Sequence, residues 1–238
     1  MGRARLPVVL LPGLDGSGRL FDPLLAALAA RPSRLAPRVL ALPHDAPRAY
    51  DEYLAVVQEA LPRRGAFALL AESFSGPLAV RAAAGRPAGL TGLVLAATFL
   101  RRPLAPWLAP LSPLVGAPLF SLPLLPPAFR WLLAGADAPD ELVSAIRAAV
   151  ADVPAAVLAR RAREALAVDV RAALARTEVP LLLLSARRDR LLRPGMAEEL
   201  LEARPDAQTE TVDGPHTILQ ARPAACLERL VPFLEALA

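Results

Sequence analysis

The sequence predicts a doubly wound, mostly parallel α/β sheet of about six strands, interrupted by one helical insertion. Three observations carry this. Short apolar runs alternate with helical repeats up to about residue 100 and again from about residue 179. The first five strand runs are nearly all apolar, as strands covered on both faces must be. Residues 101–178 contain no strand-like run at all, and are too long for a single crossover.

The elements follow in order. Val8–Leu11 is a strand that empties into a glycine loop, Leu11-Pro-Gly-Leu-Asp-Gly-Ser-Gly18. Leu20, Phe21, Leu24, Leu25 and Leu28 then recur at helical spacing. A second strand is expected over Val39–Leu42 and a helix over Tyr53–Leu61. Phe67–Ala71 is the third strand, and Gly76–Ala84 is the helix after it. Gly92–Ala97, Leu181–Ser185 and Thr209–Val212 supply the remaining strands, with helices over Met196–Ala203 and Leu227–Leu237. On this reading residues 1–100 and 179–238 form the core domain and residues 101–178 a helical cap.

The chain has 238 residues, 55% of them hydrophobic, enough for one substantial core. Its basic residues are all Arg, with no Lys, and Asn is also absent, a bias that runs through every segment. Formal net charge is only +4, so the pI of about 10.4 reflects arginine chemistry more than a basic face. Arg63-Arg64, Arg101-Arg102 and Arg160-Arg161 are scattered and read as solvated charges, which argues against a nucleic-acid partner. A single cysteine, Cys226, excludes an internal disulfide and fits a small buried position on a helix. The apolar run near the N-terminus is too short for a secretory signal core, leaving the cytoplasm as the default compartment.

No charged residue occurs from Pro103 to Phe129. The prolines that recur through this stretch argue against an integral membrane span, because each removes a helix hydrogen bond where no water can replace it. Short helices laid over the sheet are expected instead. Trp107, Phe120, Phe129 and Trp131 mark the insertion as the source of an apolar pocket, and its exposed part as a candidate face for a homodimer or for lipid.

The chemistry starts from Ser73. An apolar strand runs straight into this hydroxyl and on into a helix, which forces the serine onto a sharp strand-to-helix turn. A serine nucleophile needs a base, a group that orients the base, and donors for the oxyanion. Of the two histidines, His216 follows the last strand in Val212-Asp-Gly-Pro-His216, on the edge where open α/β sheets place their sites. His44, after the second strand, is the weaker choice. Asp189, on the loop after Leu181–Ser185, is the orienting acid. Asp213 is too close to His216 in a tight turn, and the loop after Gly92–Ala97 carries no carboxylate. Arg187, Arg188 and Arg190 flank Asp189 and either help keep it ionised or are plain loop charges. The glycine loop offers Leu14 N–H, and the helix after the serine offers Phe74 N–H, as oxyanion donors. Asp15 either orients the glycine loop or is a plain turn residue. Ser75 competes as nucleophile, but Pro77 then falls where a tight approach needs a glycine. Glu72 is given no chemistry.

Over nearly its full length the chain resembles the α/β-hydrolase superfamily. Pro12-Gly13 stands where that family has its His-Gly oxyanion loop, and Ser73 where it has its nucleophile elbow. The order Ser73, Asp189, His216 is the family's order, and a helical cap commonly interrupts its sheet where residues 101–178 do. The Gly-x-Ser-x-Gly pattern reads here Ala71-Glu-Ser73-Phe-Ser75, with small residues in the glycine places, and the family's first antiparallel hairpin is missing. The resemblance implies a serine carboxylic-ester hydrolase acting on apolar short- to medium-chain esters, with thioesters and aryl esters open to the same machinery and no metal or cofactor. Two other classes remain. A dinucleotide-binding loop would use Gly13, Gly16 and Gly18 with Asp45, though the glycine spacing is wrong for it. A hydrolase-shaped binding protein would keep the fold without turnover.

Overall fold

A computed structural model describes residues 5–104, 114–121 and 130–238. Trp107, Phe129 and most of the uncharged stretch lie outside the described residues. Six strands form one sheet: β1 (Leu6–Leu11), β2 (Leu35–Val39), β3 (Phe67–Glu72), β4 (Leu90–Ala96), β5 (Leu181–Ala186) and β6 (Gln208–Val212). Their order is β2-β1-β3-β4-β5-β6, and every neighbouring pair is parallel. The helices are α1 (Asp22–Ala29), α2 (Tyr50–Ala60), α3 (Gly76–Ala84), α4 (Ala117–Ser121), α5 (Asp140–Ala151), α6 (Ala155–Ala167), α7 (Arg171–Leu174), α8 (Met196–Ala203), α9 (Ile218–Ala221) and α10 (Pro223–Glu235).

Side chains alternate across a strand, so an all-apolar strand feeds two cores. Val8 and Leu10 of β1 and Ala68 and Leu70 of β3 face Leu24 and Leu28 of α1 and Leu227 and Leu230 of α10. Val9, Leu11, Leu69 and Ala71 face the opposite way, against Tyr53 and Val57 of α2, Leu78 of α3, Leu174 of α7 and Leu200 of α8.

The second strand lies earlier than its apolar run suggests, at Leu35–Val39 rather than Val39–Leu42. It is a sheet border, so a proline inside it is tolerated. Leu40 N–H donates to Leu10 O at 2.9 Å, which sets the even positions toward β1 and turns the nitrogen of Pro37 away from the ladder. The apolar residues beyond have another task. Leu42 is buried, and its N–H donates to Gly16 O at 2.8 Å, bracing the glycine loop.

The chain leaves β1 toward β2 and then crosses back to β3 on β1's other side. Open sheets have a crevice beyond the C-terminal ends of the two strands flanking such a reversal. The glycine loop closes β1 there and Ser73 closes β3.

Between β4 and β5 the described residues hold α4 to α7 and a five-residue π-helical turn, Arg130–Ala134, and no strand. Antiparallel bridges Arg101↔Asp169 and Leu104↔Leu192 stitch the start of this segment to its end and to the loop after β5. Arg101 and Arg193 both donate to the Glu199 carboxylate of α8. Among the described residues no single helix is long and apolar enough to cross a membrane.

Candidate active site

β3 ends at Glu72 and passes through one tight turn, Ser73–Ser75, directly into α3. Ser73 has φ 49°, a left-handed conformation that a side-chain-bearing residue adopts only when its surroundings impose it. The surroundings are visible. Thr98 Oγ1 donates to Ser73 O at 2.5 Å, and a Cβ on Gly76 would lie 1.9 Å from that same Thr98 oxygen. Glycine at position 76 therefore lets α3 approach β4. Ala71 and Ser75 are fully buried in the places where the family pattern has glycine. Ser75 Oγ donates to Pro12 O at 2.5 Å, so the rival serine ties the elbow to the glycine loop and is not exposed for attack.

Three distant side chains meet beside this turn. Ser73 Oγ lies 2.9 Å from His216 Nε2, and His216 Nδ1 lies 2.7 Å from Asp189 Oδ2. The other Asp189 oxygen accepts the N–H groups of Leu191 and Leu192, both at 2.9 Å. The two loops are zipped together: Arg187 N–H donates to Val212 O and Arg188 N–H to Gly214 O, prolonging the β5–β6 ladder into the site. His44 is exposed, and among the described residues the histidine hydrogen-bonded to Ser73 is His216. Asp213 pairs with Arg188 at 3.1 Å, away from the imidazole. Arg188 also reaches Asp137, and Arg190 stacks on Trp131, so these arginines bind the insertion and do not set the charge of Asp189.

Burial works against charge on both members of the pair, and the pair overrules it. The buried His216 ring is disfavoured as a cation, yet the Asp189 charge and hydrogen bond raise it above the ordinary imidazole value. Burial would push Asp189 up, yet His216 and the two backbone donors bring it below the ordinary carboxylate range.

Leu14 N–H donates to no protein acceptor among the described residues, and Phe74 N–H opens the turn into α3 with its donor free of the helix ladder. Asp15 orients the loop: its Oδ2 accepts Ser17 N–H at 2.9 Å and Ser17 Oγ–H at 2.5 Å. Phe74 is held from behind, stacked on Tyr50 with ring centroids 4.8 Å apart, while Tyr50 OH donates to Phe74 O at 2.9 Å.

Two residues escape the sequence reading. Arg161 is fully buried against the glycine loop, although the Arg160-Arg161 pair reads as solvated. The available signal was an arginine on the same helix face as Val157, Leu158 and Ala165. Glu72 is buried too, accepting a hydrogen bond from Gln220 at 3.1 Å, and burial pushes its carboxyl up to about 7 despite that bond and the nearby imidazole. A carboxyl raised on folding favours the folded state below its unfolded value, and that contribution is lost as pH rises through about 7. Glu72→Gln, which removes the ionisation, is expected to raise Tm at pH 8 and leave it unchanged at pH 4; thermal melts at the two pH values check this. Cys226 is buried and its thiol is pushed up to about 12, which leaves it unreactive.

The profile of the alpha/beta hydrolase family matches residues 8–229. The chain belongs to this family. Solved structures agree on its fold. The enol-lactonase from Burkholderia xenovorans LB400 superposes with a TM-score of 0.81 at 20% identity, over 98% of this chain and 92% of that one. A thermophilic esterase from Thermogutta terrifontis gives 0.79 at 19% identity, over 98% and 91%. A hydrolase from Oleispira antarctica gives 0.80 at 15%, over 99% and 93%. At these identities the likeness is one of fold alone. A search among curated proteins finds no match. The hydrolase fold thus expected from Ser73, Asp189, His216 and the strand pattern is the fold the chain has, with all six strands parallel.

Proposed function

We propose that this hydrolase is a serine carboxylic-ester hydrolase in which Ser73 is the nucleophile, His216 the general base and Asp189 the group that orients it. The observation that carries the reading is the unbroken chain of contacts from Ser73 Oγ to His216 Nε2 and from His216 Nδ1 to Asp189 Oδ2, at 2.9 and 2.7 Å. His216 takes the hydroxyl proton as Ser73 Oγ attacks the acyl carbon. The carbonyl π electrons become an oxyanion between Leu14 N–H and Phe74 N–H, and the imidazolium then protonates the departing alkoxide. Water, deprotonated by the same imidazole, attacks the acyl-enzyme, and Ser73 recovers its proton.

The substrate class is a small apolar ester. Phe120 packs with Val153, Val157 and Leu158 of the insertion, and Leu14 joins the same cluster, so an apolar wall reaches the proposed oxyanion site. Residues 101–178 act as the cap over it.

A fluorophosphonate probe tests the nucleophile. It is expected to label the wild-type protein on the peptide containing Ser73 and to leave Ser73→Ala unlabelled, as read by mass spectrometry. Folded wild-type protein that takes no label and leaves nitrophenyl butyrate intact would overturn the reading.

A further inference from the structure

Arg161 lies on α6, within the insertion, yet its guanidinium ends at the loop after β1. It is the largest fully buried side chain among the described residues. Nε donates to Tyr53 OH at 2.9 Å. Nη1 donates to Leu14 O at 2.7 Å and Asp15 O at 2.8 Å. Nη2 donates to Pro43 O at 2.9 Å and Leu42 O at 3.4 Å. A guanidinium carries five N–H donors, and every one is met here by an uncharged oxygen of the protein. None is left to grip a substrate anion, so the group acts on the protein itself.

What it acts on is the glycine loop. Gly13 O accepts Gly16 N–H at 3.1 Å, which fixes the peptide plane carrying Leu14 N–H. Arg161 fixes the next two planes through Leu14 O and Asp15 O. Gly16 has φ 71°, and a Cβ there would lie 2.5 Å from Arg161 Nη1, so glycine is what admits the guanidinium. The same cation lies 5.1 Å from the Tyr53 ring centroid and 6.0 Å from that of Phe74, whose N–H is the other proposed donor. A buried cation that meets only uncharged oxygens, behind the loop that carries Leu14 N–H, is screened less than the same charge in water.

We propose that Arg161 is a positioning residue for the oxyanion, holding Leu14 N–H in place from behind and setting a positive charge beneath both donors, so that the last long helix of the insertion is part of the catalytic machinery. This rests on the ester-hydrolase reading above.

The test uses Arg161→Met, Arg161→Lys and Gly16→Ala in the full chain, with nitrophenyl butyrate as substrate and an alkyl trifluoromethyl ketone as a tetrahedral-adduct probe. Arg161→Met is expected to lower kcat by about 100-fold, the effect of losing one oxyanion donor, with KM within about twofold. Ketone affinity should fall by the same factor. Arg161→Lys should recover part of both, and the acid limb of the pH profile should stay where it is, since His216 and Asp189 are untouched. Gly16→Ala, which keeps the guanidinium but pushes it from the loop, should mimic Arg161→Met; where Arg161→Met does not fold, Arg161→Lys and Gly16→Ala decide. Variants with a lower Tm but wild-type kcat and ketone affinity overturn the proposal, as does a kcat loss accompanied by a shifted acid limb. Wild-type protein that neither turns over nor labels at Ser73 overturns the reading beneath it instead, and this proposal with it.

Discussion

Ser73→Ala is expected to lower kcat on nitrophenyl butyrate by about 10⁶-fold, the loss that follows when the nucleophile of a Ser-His-Asp unit is removed. KM should change little, because the hydroxyl contributes to bond making and hardly to ground-state binding. The fold should survive. The Ser73 hydroxyl hydrogen-bonds with His216, while the contacts that shape the turn run through Ser73 O and the neighbouring Ser75 Oγ. Single-turnover kinetics alongside a thermal melt separates the two effects. A variant that keeps a tenth or more of wild-type kcat removes Ser73 from the reaction.

Asp189→Asn is the second large effect, a loss of about 10⁴-fold in kcat. The reason can be traced atom by atom. Asp189 Oδ1 accepts two backbone N–H groups, from Leu191 and Leu192. An asparagine will place its carbonyl oxygen there, so its NH₂ faces His216 Nδ1. That nitrogen must then be an acceptor, and the ring proton moves to Nε2, where it blocks removal of the Ser73 proton. The pH profile adds a second readout. In the proposed mechanism turnover requires neutral imidazole, and Asp189 holds His216 above its ordinary value, so wild-type activity is expected to rise with pH along a limb displaced upward. Removing the Asp189 charge lowers the imidazole's affinity for protons, so the limb of the variant should move to lower pH while its plateau falls. A variant with unchanged plateau and limb shows that Asp189 does not govern His216.

How far these residues could be read from the chain depended on the range of the interaction. Strands buried on both faces announce themselves as apolar runs, and the helices between them as repeats at helical spacing, so β1, β3, β4 and β5 were legible to within two residues at either end. Ser73, Asp189 and His216 each follow a strand end, and parallel strands put all their C-terminal ends on one edge, which is why residues so far apart could be expected together. β2 lies earlier than the apolar run Val39–Leu42 suggests, because as a border strand it is half exposed and accepts Pro37 and Arg38, so it carries no apolar run of its own. Arg161 and Glu72 were missed for a different reason. Their partners, Leu14 and Gln220, lie 147 and 148 positions away. The apolar helix face that Arg161 shares with Val157, Leu158 and Ala165 signals its burial, but nothing local names the distant carbonyls that make the burial possible.

Pro37 has one more effect, on crowded solutions of this protein. A parallel sheet leaves its outermost strands with unmatched backbone groups that can template a neighbour's chain and begin aggregation. On the β2 side the outward-turned proline nitrogen has no hydrogen to offer an incoming strand. On the β6 side Glu210, paired with Arg229 at 3.1 Å, sets a carboxylate beside the rim that a recruited strand would have to strip of water. Each rim thus carries a feature of the kind that disfavours pairing with a neighbour's strand.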